Sequence, residues 1–175
     1  MPASRKIELN FKVDKLTNSI ENILTGDCFP TDVSIFSKQD VKNLTKKTGW
    51  LFDWGKEARL ADRDVYKFTI ANNPAIIQGL VSLTVKEDHV VMHLIESAPF
   101  NKARTKVYLG VPGNLIAFAC KLSFHRGCDG YISFIAKTKL IDHYIKTLGA
   151  LHAGSQRMII NTEAALKLID KYFPK

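Results

Sequence analysis

At 175 residues, 46% of them hydrophobic and 24% charged, the chain can bury a sizeable core and is sized for a single compact domain. No apolar run reaches the roughly 18 to 20 residues needed to cross a bilayer, and the opening MPASRKIELNFKVDK lacks the apolar stretch of a secretory leader; no membrane partner and a cytoplasmic location are expected. Cys28, Cys120 and Cys128 are too few and too scattered for a disulfide framework or a zinc site, so free thiols and no metal are expected.

From the amino terminus, helices are expected from about Thr17 to Leu24 and from Lys38 to Lys47, which makes residues 1–63 a helical extension packed on a core of residues 64–175, the whole forming one structural domain. Trp50, Leu51, Phe52 and Trp54 form an aromatic cluster that reads either as a hydrophobic plug against a sheet or as a lid over a ligand. From Asp64 the pattern turns strand-like. Val65–Ile70 alternates with period two, while Ala75–Val85 and His89–Ile95 are rich in β-branched residues. Asn72-Asn73-Pro74 and Lys86-Glu87-Asp88 supply the turns, so an antiparallel meander follows.

A helix is expected from Gly113 to Phe124, with Leu115, Phe118, Ala119 and Leu122 on a buried stripe and Gly127 at its end. Tyr131–Ala136 reads as a strand, Lys139–Leu148 as a helix stopped by Gly149, and Arg157–Ile160 as a last strand. Asn161 or Thr162 then caps a carboxy-terminal helix whose inner face carries Ala165, Ile169 and Tyr172 or Phe173.

The 25 basic residues against 17 acidic ones give a net charge of +8, which favours anionic partners. The basic residues are dispersed, apart from small clusters at Lys42–Lys47 and Asn101–Lys106, and no nucleic-acid-binding signature accompanies them. Nucleic acid is therefore disfavoured as a partner. The segment Leu109-Gly110-Val111-Pro112-Gly113-Asn114-Leu115 lies between a strand and a helix start, where small residues expose backbone amides and the helix dipole favours an anion. The same Gly-x-x-Gly also suits a plain tight turn.

The order strand, strand, strand, glycine turn, helix, strand, helix resembles the GNAT superfamily of acetyl-CoA-dependent N-acyltransferases from about Asp64 to Ala150. GVPGNLIAFACKLSF (Gly110–Phe124) resembles its pyrophosphate loop and following helix, and HYIKTLGA (His143–Ala150) resembles its Phe-Tyr-Glu-Lys-Leu-Gly-Phe segment. The resemblance implies an α/β (α+β) fold with a mixed, mostly antiparallel central sheet flanked by helices. It implies acetyl-CoA as co-substrate, held by Gly110, Val111, Gly113, Asn114 and Leu115 and by the backbone at Ile95 and Ser97, with the pantetheine arm between two parting strands. Acyl transfer to an amine needs a base and an acid. Glu96 and His93 are the candidate bases, Tyr144 the acid by resemblance. Residues three apart in a regular strand face opposite ways, so only one of the two reaches the site unless a bulge intervenes. The expected partners are acetyl-CoA and an amine acceptor, with a homodimer left open; a non-catalytic CoA-binding or interaction module is the alternative.

Overall fold

A computed structural model describes residues 7–13, 20–44, 46–102 and 106–173. In chain order the strands are β1 (Ile20–Asn22), β2 (Cys28–Phe29), β3 (Thr31–Ile35), β4 (Asp64–Ile70), β5 (Asn73–Val85), β6 (Val90–Ser97), β7 (Tyr108–Leu109), β8 (Ile132–Ile135), β9 (Leu151–His152) and β10 (Arg157–Ile160). The α-helices are α1 (Trp54–Ala58), α2 (Val111–His125), α3 (Ile141–Leu148) and α4 (Thr162–Tyr172). Seven strands form one sheet in the order β3-β4-β5-β6-β8-β10-β9, and β2-β1-β7 make a small second sheet.

The meander β4-β5-β6 is as expected, and alternation along it feeds two cores. Tyr66, Phe68, Val81, Leu83, Met92 and Ile95 pack on the face covered by α2. Val65, Leu80 and Leu94 pack on the other, beneath Phe36, Leu44, Trp50 and Trp54. The sheet is thus buried on both sides, and the two tryptophans of the aromatic cluster are its plug. Helix α2 begins at Val111, two residues before the expected start, and is buried on nearly every side from Val111 to Ala117 because the sheet lies beneath it and α4 packs on it. Gly127, at φ 80°, takes the left-handed turn after it. Asn161 caps α4, its side chain accepting from Ala164 N at 3.0 Å.

The amino-terminal helices are corrected. Residues 20–22 of the expected Thr17–Leu24 helix are a strand, and Thr17–Ser19 lie outside the described residues. Asn22 Oδ1 accepts from Leu24 N (2.9 Å) and Thr25 N (3.1 Å), a local turn that competes with helix formation. The Lys38–Lys47 helix is replaced by short 3-10 turns at Asp40–Asn43 and Lys46–Thr48. There Asp40 is tied to Ser37 and, through a 2.9 Å ion pair, to Lys67 on β4. β3 pairs with β4, so the main sheet draws a strand from before Asp64.

Candidate functional site

β6 and β8 are the sheet's only parallel neighbours among the described strands, joined by the α2 crossover, and they pair only at Val90↔Ile132 and Val91↔Ser133. Beyond that they part. The opening is a cleft of about 730 Å³ lined by Ile95, Glu96 and Ser97 of β6, by Leu51 and Phe52, and by residues 7–12. Ala98 N donates to Gln78 O on the β5 side at 2.9 Å. Backbone groups alternate in direction along a strand, so those of Ser97 and Ile95 turn the other way, into the gap. A smaller depression of about 390 Å³ between α3 and α4 is lined by none of the candidate catalytic or cofactor-binding residues.

Part of the gap is filled by the chain itself. Leu9 N donates to Ile135 O (2.7 Å) and Lys137 N donates to Leu9 O (3.1 Å), while Ala136 N turns to Gln156 O on the β10 side. The alternation places Leu9 on the edge of β8 that β6 occupies farther back, where Tyr131 O accepts from Val90 N. Tyr144, fully buried on α3, secures the next residues. Its hydroxyl donates to Phe11 O at 2.6 Å and accepts from Phe11 N at 3.1 Å, and the two rings stack at 4.6 Å. Burial pushes the Tyr144 hydroxyl well above the usual phenol range, against the smaller lowering effect of its bond to the Phe11 backbone. His143 Nε2 accepts from Val13 N at 2.9 Å, and desolvation, helped by Lys12, lowers its pKa. The sequence held a signal for this segment that the strand reading passed over: Ile7, Leu9, Phe11 and Val13 alternate with polar residues in IELNFKV.

At Glu96 a second piece of the amino-terminal region converges. Glu96 as a residue is 4% exposed. Its Oε2 accepts from Leu51 N (2.7 Å) and Lys102 Nζ, its Oε1 from Phe52 N (3.3 Å) and Trp54 Nε1 (2.8 Å). Burying a carboxylate costs several kcal/mol unless it is fully paired; four donors meet that demand and fix the backbone of residues 51–52 over the cleft. A bulge does intervene between the candidate bases. Ser82↔Leu94 and Leu83↔Met92 leave His93 unmatched, and its ring joins the face of the sheet that carries Glu96. His93 nevertheless binds away from the cleft, with Nε2 2.7 Å from Thr84 Oγ1; desolvation and then Arg63 lower its pKa. Of the two, Glu96 reaches the cleft.

The helix start is differently built. Gly110 to Leu115 are all buried, Gly110 is left-handed at φ 94°, and Asn114 Nδ2 donates to Gly110 O at 2.7 Å. A Cβ on Gly113 would lie 1.7 Å from the Tyr172 hydroxyl, so this glycine's smallness is used by α4. Pro112 is the residue of this segment that lines the cleft, and its nitrogen carries no hydrogen. Lys12, Lys106 and Lys137 line the same cleft and bring positive charge to it. Burial pushes the Cys120 thiol up to about 12, which makes it a poor nucleophile. Among the described residues no cluster of metal-ligating side chains is present and no helix is long and apolar enough to cross a membrane.

No protein-family model and no curated protein matches the sequence. Solved structures do match. A mutant form of the spermidine N-acetyltransferase SpeG from Vibrio cholerae is 16% identical over 78% of this chain and 96% of its own, with a TM-score of 0.55. A chain of the AtaT-AtaR complex bound to DNA is 14% identical over 79% and 99%, also at 0.55. A chain of AtaTR bound with acetyl-CoA is 11% identical over 79% and 98%, at 0.52.

Proposed function

Because this chain has the GNAT fold, we propose that it is an N-acyltransferase that moves acetyl from acetyl-CoA to a primary amine by direct attack in a ternary complex. The observation that carries this reading is the gap between β6 and β8, into which the backbone of Ile95 and Ser97 turns. An extended arm laid there finds a strand edge with unused donors and acceptors. Acetyl-CoA supplies the acetyl group as an activated thioester. Gly110, Val111, Gly113, Asn114 and Leu115 set the direction of the helix dipole, and three of the four cleft lysines, Lys12, Lys106 and Lys137, supply the positive charge that an anionic end requires.

An amine attacks only after losing the proton that makes it an ammonium. Glu96 is the residue assigned to receive it, directly or through a water, because its carboxylate borders the cleft whereas His93 is turned to Thr84. Tyr144 holds the Phe11 backbone; to act as acid toward the leaving sulfur its hydroxyl must first be released from Phe11. Trp50 and Trp54 keep the wall over Glu96 in place.

A second reading, a GNAT-like module that binds CoA or a partner without turnover, draws support from the buried helix start and from Leu9 lying on β8. A thermal shift with acetyl-CoA combined with thiol release in amine mixtures separates the two. Binding with turnover is expected; binding without turnover assigns the module. Ser97→Pro removes an amide aimed at the gap without touching the β5 pairing. It should abolish the acetyl-CoA shift in a folded protein, and an unchanged shift would refute the placement.

A further inference from the structure

We propose that Lys102 is an acetyl acceptor served by the protein's own cleft, an inference that rests on the transferase reading and gives it a defined amine. The Lys102 ammonium donates to Glu96 Oε2 and lies 6.0 Å from the centre of the Trp50 ring. A primary amine on a flexible methylene stem therefore already stands against the carboxylate assigned to take up protons. Of the four donors on Glu96, two are backbone amides and one is an indole, none of them acylable under mild conditions; Lys102 alone is an amine. Side-chain exposure is 29% for Lys102 and 2% for Glu96, so the lysine is the accessible member of the pair. Lys102 lines the same cavity as Ile95 and Ser97, the neighbours of Glu96 whose backbone turns into the gap.

The step balances without a further reactant beyond acetyl-CoA. The Lys102 ammonium passes one proton to Glu96, which returns it to solvent. The freed Nζ attacks the thioester carbonyl, a C–N bond forms and the C–S bond breaks. A second proton leaves with the CoA thiolate as the thiol, and the third stays on the new amide. The product is neutral. It can no longer form the ion pair at Oε2, so the modification opens that oxygen to an incoming ammonium. Lys102 in this account is an internal competitor that is consumed once.

The test is to incubate the full chain with acetyl-CoA and map acetylated lysines by mass spectrometry, alongside a thermal shift with the same compound. Labelling of Lys102 should exceed that of the exposed Lys167 by about tenfold or more, as expected of a positioned amine, at a fractional rate independent of protein concentration. Lys102→Arg should remove the label, and Glu96→Gln should slow it by roughly 10²-fold. A thermal shift with no excess at Lys102 overturns this inference and leaves the transferase reading standing. No thermal shift overturns both. Equal labelling of Lys102 and Lys167, or labelling that persists in urea-unfolded protein, assigns it to solution chemistry and also overturns the inference.

Discussion

The strand gap and the start of α2 are both places where this fold could hold a ligand, and they have been built in opposite ways. At the gap the walls turn backbone inward and leave space; at the helix start, side chains close the space and α4 packs into the glycine. The contrast teaches that a parting of parallel strands follows from topology, whereas a helix terminus is a site only if its neighbours stay back. Two glycines beside a helix therefore carry less information than the strand order around them.

The largest expected effect tests the closed side. Gly113→Val should destabilise the protein by about 3 kcal/mol, since the added Cβ meets a Tyr172 ring that is 1% exposed and has nowhere to go. A shifted urea midpoint at unchanged slope would show it. If instead stability holds and only acetyl-CoA binding is lost, the helix start is a ligand site and the contrast breaks. Tyr144→Phe tests the open side. It leaves the amide and carbonyl of Phe11 without their partner, and a loss of about 1 to 3 kcal/mol follows. Hydrogen exchange at Leu9 to Val13 should quicken beyond that of β10. Acetyl-CoA affinity should rise in this variant if the segment and the pantetheine arm share the gap.

The smallest effect is on pH. The pKa of His143 is lowered in the fold, so the neutral ring that accepts the Val13 amide is the favoured form. Its contribution is complete above the unfolded value of about 6.5 and is lost as pH falls through the folded value, a loss of about 1 kcal/mol for one hydrogen bond. His93 shifts in the same direction, so a global melt reports both. Exchange of the Val13 amide in wild type and His143→Phe isolates the first: the acid-side acceleration should vanish in the variant.

The legible part of the chain was the part whose contacts are close in sequence. β4, β5 and β6 follow one another through short turns, and the faces of α3 and α4 repeat at helical spacing, so Tyr144 and Ala165 could be placed inside from pattern alone. β1 could not, because it is only three residues long, its local sequence suits a helix, and beside the nearby β2 its other partner, Tyr108–Leu109, is far along the chain. Three of the four Glu96 donors were hidden for the same reason: Trp54 Nε1 is 42 positions away, and no motif marks an indole aimed at a carboxylate. The turn of His93 toward Thr84 depends on a one-residue bulge, which composition does not announce.

Leu9 rests on a strand made much later in synthesis, and Phe11 is held by a tyrosine 133 positions on. On a ribosome that emits the chain from its amino terminus, Leu9 and Phe11 must wait until Ile135 and Tyr144 have emerged before these contacts can form. Leu9 is at once a wall of the cleft and a core side chain, 2% exposed, so cutting residues 7–13 away would widen the cavity only by giving up part of the core that borders it.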